Sequence, residues 1–115
     1  MLENLRSLIF SCKCMRPPFH FDNFECVDLG EDKWGAEISL LTCKKCRSVW
    51  LKYLIEEPHY TKSGRWWRVK FDSSTAKEFN VNAARQYIEQ QPWCFRGGSF
   101  FTSGGARKFA PITVT

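Results

Sequence analysis

Histidine is scarce in this chain of 115 residues, which contains only two, and long apolar runs are missing. A membrane-spanning helix needs about 20 consecutive apolar residues, and no stretch approaches that length. The chain also lacks the His-Glu-x-x-His motif of zinc peptidases and the His-x-Glu motif of zinc deaminases. The glycines between positions 97 and 105 have no Lys-Ser or Lys-Thr partner, which excludes a phosphate-binding loop. We therefore expect no enzymatic site.

The sequence also lacks a signal peptide and any sign of a second domain. Glu3 and Arg6 interrupt the N-terminal apolar stretch, and no small-x-small cleavage site follows, so we expect no signal peptide. The chain shows no internal repeat and no linker, and 43% of its residues are hydrophobic, which argues against disorder. These features predict one cytoplasmic domain over residues 1–115, with no membrane partner.

Six cysteines carry the clearest chemical signal. In a cytoplasmic chain they favour metal ligation or free thiols, whereas a secreted chain would allow three disulfides. Cys43-x-x-Cys46 lies between two apolar runs, and thiolates at this spacing can occupy two corners of a tetrahedral zinc ion. The other two corners are expected to be Cys12 and Cys14. Zinc bound by four thiolates keeps no open position, so the predicted zinc is structural.

The ligand set has alternatives, because Cys12-x-Cys14 departs from the second Cys-x-x-Cys that zinc ribbons usually supply. Cys26 or His20 could replace a member of this first pair. Otherwise we expect His20 to be a surface or packed histidine and Cys26 and Cys94 to be buried free thiols. Redox catalysis is disfavoured, because the residues after Cys46 have a strand pattern where a thioredoxin-like site would have a helix.

Hydrophobic periodicity predicts an α+β domain built on an antiparallel sheet. Alternation over 36–40 and 49–55 indicates a hairpin with the Cys43 turn at its tip, and 66–71 indicates a further strand. Val81, Ala84 and Ile88 predict one main helix over about 80–91, with Asn80 as a possible N-cap. The remaining predictions are an amphipathic helix over 1–10, a polar turn over 29–33, a hairpin turn at 60–66 and a capping box from Thr75 to Glu78. A short strand at Phe100–Phe101 is expected between glycine turns at Gly97-Gly98 and Gly104-Gly105, followed by an edge strand over 109–114.

The net charge of +5 permits binding to nucleic acid, to an anionic surface or to an acidic protein, without selecting among them. Alternation would place Trp66, Arg68 and Lys70 on one exposed strand face, where they could stack bases and neutralise phosphates. The alternative is that one tryptophan belongs to the core and the other lies beneath a long arginine stem. Basic residues beside the cysteines would also offset thiolate charge. The candidate partner-binding residues are Trp66, Arg68, Lys70, Lys44, Lys45 and Arg47.

The segment Cys43–Trp50 resembles a zinc-ribbon hairpin. The order of Trp34-Gly35-Ala36-Glu37, the Cys43 turn, Ser63-Gly64-Arg65-Trp66 and Gly97-Gly98-Ser99-Phe100 is similar to a group of small, uncharacterised bacterial zinc-ribbon-like proteins. This resemblance implies no activity, although small bacterial domains of this kind include immunity proteins that neutralise toxins. We therefore expect a non-enzymatic, zinc-stabilised module that binds a protein partner, a toxin being one option. The alternative is nucleic-acid binding through the basic aromatic face.

Overall fold

The main element of the fold is one six-stranded antiparallel sheet, in which every strand pairs with its neighbours in the chain. The computed structural model describes residues 12–56, 64–72, 79–98 and 103–114. The strands are β1 (Phe24–Glu31), β2 (Glu37–Cys43), β3 (Val49–Ile55), β4 (Arg65–Lys70), β5 (Trp93–Gly98) and β6 (Ser103–Phe109). A short helix, α1 (Ala84–Glu89), follows a 3-10 turn at Val81–Ala83. The described residues therefore form an α+β domain that is mostly sheet.

The two strongest secondary-structure predictions are confirmed. Strands β2 and β3 pair antiparallel, with Leu41 opposite Trp50, so residues 36–40 and 49–55 do form a hairpin. The predicted helix is present but shorter than expected, since helical residues run from 81 to 89. The Asn80 side chain accepts a hydrogen bond of 2.8 Å from the backbone N–H of Asn82, as an N-cap does.

Two predictions about the edge strands are wrong, namely the polar turn over 29–33 and the strand over 109–114. Residues 29–31 belong to β1, which contains a bulge between Asp28 and Gly30, and the turn lies after it, where Gly35 N donates to Asp32 O. The last strand is β6, not 109–114, because the glycines taken for a turn are strand residues. Gly105 is needed there, since an added Cβ would lie 2.5 Å from Trp66 Cη2.

Several predictions fall outside the described residues. They are the helix over 1–10, the tip of the hairpin near 60–63, the capping box from Thr75 to Glu78 and the strand at Phe100–Phe101. Within the residues that the structure does describe, no helix is long and apolar enough to cross a membrane.

Side chains alternate across the strands, so the sheet has two faces with separate cores. On the helix face, residues from β2, β3 and β4 pack against α1 and against the segment that follows β6. This core contains Ile38, Leu51, Tyr53, Trp67, Val69, Ala84, Ile88 and Val114, among others. The opposite face, called here the cysteine face, is covered near one end by residues 12–23, the N-terminal segment. The core on this face contains Cys12, Cys14, Met15, Phe24, Leu41, Cys43, Trp50 and Phe95.

A buried carboxylate fixes the turn between β1 and β2. Asp32 Oδ1 accepts hydrogen bonds of 3.0 Å from the backbone N–H groups of Trp34 and Ala36, and Tyr53 Oη donates to Oδ2. Burial and this contact raise the pKa of Tyr53 to about 12. Arg85 Nε also donates to Tyr53 Oη, at 3.3 Å, so the network links the turn to the core and to α1.

Candidate metal centre

Four cysteines from two distant parts of the chain meet at one end of the cysteine face. Cys43 ends β2, Cys46 lies in the turn that follows, and Cys12 and Cys14 belong to the N-terminal segment. Their four sulfur atoms all lie within 4.8 Å of one another. The shortest separations are 3.5 Å between Cys12 and Cys43 and 3.4 Å between Cys14 and Cys46. The structure thus brings together the four ligands that the sequence predicts.

The spacing of these sulfurs suits a tetrahedral metal ion. Zinc–sulfur bonds of about 2.3 Å give a tetrahedron with edges of about 3.8 Å, which lies between the shortest and the longest separations in the cluster. Sulfurs joined in a disulfide would be about 2.0 Å apart, so these are free thiols. Four sulfur donors at tetrahedral spacing are typical of zinc or iron sites. The alternative ligands, Cys26 and His20, are both exposed and lie outside the cluster.

Hydrogen bonds shape the turn so that it presents its sulfurs. Cys43 N donates to Ser48 O and Arg47 N donates to Cys43 O, each at 2.9 Å, and Arg47 has a positive φ of 64°. Burial raises the pKa of the Cys43 thiol, while the backbone N–H groups of Cys46 and Lys45 donate to its sulfur and oppose that rise. These donors are part of the turn itself, and they stabilise the thiolate form of Cys43. Because a metal cation binds the thiolate, the turn is preorganised for a cation.

The sulfurs differ in their affinity for protons. Burial raises the pKa of Cys14, and the thiols of Cys46 and Cys12 add to this effect. Burial would also raise the pKa of Cys46, but hydrogen bonds from the Ser48 hydroxyl and backbone, together with the neighbouring thiols, lower it to about 6. Metal binding requires thiolates and releases their protons. A dication at the centre would replace these protons and offset the repulsion among four sulfurs in a poorly hydrated site.

Two residues that sequence reasoning did not assign to the site lie directly beside it. Ser48 Oγ is 3.1 Å from Cys46 Sγ, and Lys70 Nζ donates to the same Ser48 oxygen at 3.2 Å. Lys70 Nζ also lies 5.2 Å from the centre of a Trp50 ring. Ser48 could have been suspected from the sequence, because it lies two residues after Cys46. Lys70 had no local signal, because it comes from β4.

Aromatic side chains cover the interior side of the cluster. Phe19, in the N-terminal segment, makes edge-to-face contacts with Phe24, Trp66 and Phe95 at centroid distances of 6.4, 5.9 and 5.0 Å. Trp50 contacts Phe95 at 5.7 Å. An apolar shell of this kind limits the access of water to a metal site. The N-terminal segment therefore supplies both two sulfurs and part of their cover.

The six predicted partner-binding residues do not form one continuous exposed patch. Trp66, Arg68 and Lys70 share a face of β4, but Arg68 is only 7% exposed, so the expectation of an exposed strand face is wrong at its centre. The Arg68 guanidinium lies 4.5, 5.0 and 5.3 Å from the ring centres of Phe19, Phe24 and Trp66.

The alternative interpretation describes β4 better, since Trp67 is fully buried in the helix-face core. The three remaining basic residues lie on the turn between β2 and β3. Lys44 and Lys45 are exposed, and Arg47 forms an exposed ion pair of 3.3 Å with Glu25.

Comparison of the chain with protein-family models, with curated proteins and with solved structures finds no match in any of the three. The chemistry of the centre is therefore inferred from its own geometry.

Proposed function

We propose that this protein is a non-enzymatic interaction module whose fold is stabilised by one structural zinc ion bound to Cys12, Cys14, Cys43 and Cys46. The observation that supports the metal is the convergence of four free thiols within 4.8 Å. A bound zinc ion would supply cross-linking and no reactive step, because four thiolates fill its tetrahedral coordination. Within the proposal, the turn after β2 is a zinc-ribbon knuckle whose second ligand pair comes from a 3-10 turn.

The physical role of the ion would be to attach the N-terminal segment to the sheet. This segment has two 3-10 turns and no strand among residues 12–23, so its backbone forms few hydrogen bonds with the sheet. A metal that joins it to the end of β2 closes a loop that contains all of β1. Cross-links across long loops lower the entropy of the unfolded chain, which stabilises the folded state.

Metal analysis tests this part of the proposal. Protein purified without added metal should contain about one zinc per chain. Cys43→Ser should lose the zinc together with the folded state, whereas Cys26→Ser, which changes an exposed thiol outside the cluster, should keep both. A folded wild-type protein without bound metal, or with iron in place of zinc, would contradict the assignment.

A protein partner is the binding function that the surface supports best. Trp34 is 52% exposed, and its ring lies 4.5 Å from Lys33 Nζ and 4.3 Å from Arg85 Cζ. Tryptophan and arginine are the residues that most often carry interface energy, and the two cations favour an acidic partner surface. The identity of that partner, a toxin in the sequence interpretation, stays a prediction.

The partner proposal is tested by cross-linking and affinity capture from the cell of origin, comparing wild type with Trp34→Ala. A specific partner should be lost or weakened about tenfold or more in Trp34→Ala, as for a hot-spot residue. Phe21→Ala is the control, because Phe21 is another exposed aromatic residue, 84% exposed, and lies in the N-terminal segment. If both variants capture the same proteins as wild type, Trp34 is not the binding residue.

Nucleic-acid binding remains the alternative, with weaker support. Arg68 is buried beneath aromatic rings and Lys70 is bound to Ser48, so two of the three β4 residues that it requires are engaged within the protein. Salt separates the alternatives, because binding to phosphates weakens steeply as salt rises. Affinity for single-stranded nucleic acid that falls with salt and is lost in Lys44→Ala would favour this alternative.

A further inference from the structure

Two close sulfur–sulfur contacts in the cysteine cluster join the N-terminal segment to the turn after β2. Cys12 Sγ lies 3.5 Å from Cys43 Sγ. Cys14 Sγ lies 3.4 Å from Cys46 Sγ. The cysteines in these contacts are 31 and 32 residues apart in the chain, so neither contact lies within Cys-x-Cys or Cys-x-x-Cys. A disulfide at either contact would therefore close nearly the same loop as the proposed metal.

The four cysteines differ in their access to solvent. Cys46 is half-buried, whereas Cys12, Cys14 and Cys43 are at most 8% exposed. A sulfur bound to a metal is a thiolate, which is the reactive form of cysteine, so access decides which sulfur meets an oxidant first. A small oxidant reaches Cys46 first, and Cys14 is already in contact with it.

The surroundings of Cys46 are polar and positively charged. Ser48 Oγ lies 3.1 Å from its sulfur and 3.2 Å from Lys70 Nζ. Lys44 and Lys45, in the same turn, are exposed. Reactive cysteines are typically found in partly exposed, electropositive surroundings, because positive charge stabilises the thiolate. The same charges stabilise the anion that an oxidant releases when a thiolate attacks it.

The remaining two cysteines lie outside the cluster. Cys26 is exposed, so the expectation that it is a buried thiol is wrong, and its position on the edge strand β1 is the reason. Cys94 is buried, as expected. Cys26 therefore serves as an internal reference for oxidation, because its sulfur is accessible but does not belong to the cluster.

We propose that Cys46 is a site of oxidation by hydrogen peroxide, that Cys14 is its resolving thiol, and that the disulfides Cys14–Cys46 and Cys12–Cys43 replace the metal. The Cys46 thiolate attacks one peroxide oxygen, so an S–O bond forms, the O–O bond breaks and hydroxide leaves. The Cys14 thiolate then attacks Cys46 Sγ, which forms the S–S bond and releases the second oxygen as hydroxide. The two sulfurs lose two electrons and the peroxide gains them. A second peroxide oxidises Cys12 and Cys43 in the same way.

The oxidised form keeps the N-terminal segment attached to the sheet. The two disulfides join the same residues as the metal, whereas a disulfide within Cys12-x-Cys14 or Cys43-x-x-Cys46 would leave the segment unattached. Once the first disulfide has formed, two thiolates remain for a metal that needs four ligands, so the metal dissociates. The metal release rests on the proposed zinc site, but the disulfide pairing rests only on the positions of the sulfurs.

The experiment uses the full chain, and its zinc content is measured before any treatment. Hydrogen peroxide is then added stepwise, released zinc is read with a chromophoric chelator, and free thiols are capped with N-ethylmaleimide. Unreduced tryptic peptides are mapped by mass spectrometry. Trypsin can resolve the pairing, because Lys13 lies between Cys12 and Cys14 and Lys44 lies between Cys43 and Cys46.

We expect the Cys14–Cys46 disulfide to form first, with complete zinc release at that stage, and the Cys12–Cys43 disulfide to follow. Circular dichroism should show that the oxidised protein stays folded. Cys26→Ser, which removes the exposed reference thiol, should give the same two disulfides in the same order.

Three results would overturn the proposal. They are a disulfide within one sequence pair, unfolding of the oxidised protein, and four intact cluster thiols at a peroxide dose that has fully oxidised Cys26. A chain that carries no zinc before treatment but forms both disulfides in the expected order would refute the zinc assignment and support the oxidation site. The two proposals therefore fail separately.

Discussion

Ser48→Ala is the sharpest perturbation of the proposed zinc site, because it removes one hydroxyl and leaves all four sulfurs. The hydroxyl oxygen of Ser48 lies 3.1 Å from Cys46 Sγ and 3.2 Å from Lys70 Nζ. A hydrogen bond to a charged group is worth about 1.5–3 kcal/mol, which corresponds to a loss of metal affinity of about tenfold to a hundredfold. In other metalloproteins, replacing a residue that hydrogen-bonds to a metal ligand lowers metal affinity by about tenfold to a hundredfold.

The assay is competition for zinc between the protein and a chromophoric chelator at fixed pH. Ser39→Ala is the matched control, because Ser39 is a half-buried serine on β2 outside the cysteine cluster. Lys70→Met should weaken zinc binding too, but less than additively with Ser48→Ala, since Lys70 acts through the Ser48 oxygen. Equal zinc affinity in wild type and Ser48→Ala, with Ser39→Ala unchanged, would refute the assigned role of this hydroxyl.

Three further predictions concern stability and are measured by urea denaturation. Tyr53→Phe should lower the free energy of unfolding by about 1–3 kcal/mol, because buried Asp32 loses a donor. Gly105→Ala should lower it by about 1–3 kcal/mol, since the new Cβ would lie 2.5 Å from Trp66 and φ is +113°. Arg68→Met should leave it unchanged or raise it, because an apolar side chain replaces a buried, poorly satisfied cation. A loss above about 1 kcal/mol in Arg68→Met would show that the aromatic contacts outweigh the cost of burial.

The hairpin and the cysteine cluster were predictable from patterns that lie within short stretches of the sequence. A strand pattern on each side of Cys43-x-x-Cys46 predicts antiparallel pairing whatever the rest of the chain does. A tetrahedral zinc ion needs four ligands and the turn supplies two, so Cys12 and Cys14 were expected to supply the other two. Neither inference needed the path of the chain between the two pairs.

The surroundings of Arg68 were not predictable, because they depend on a distant segment. Alternation placed Arg68 correctly on the face opposite Trp67, but strand periodicity does not say what covers that face. The cover is Phe19 and Phe24, which are separated from β4 by three stretches of strand and turn. Strand β6 was missed for a related reason: Gly105 was taken for a turn residue, whereas its lack of a side chain makes room for Trp66.

The two faces of the sheet are covered in different ways, and this difference supports the proposal of a metal ion on the cysteine face. On the helix face, α1 and the residues after β6 bury large apolar side chains, so hydrophobic burial alone can hold the cover in place. On the cysteine face, the N-terminal segment buries Cys12, Cys14, Met15 and part of Phe19, and it also lies over the cation of Arg68. The small apolar surface buried here only weakly offsets the conformational entropy that the segment loses when it becomes ordered. Four thiolates around one ion would supply the missing attachment at the point where the segment crosses the end of β2.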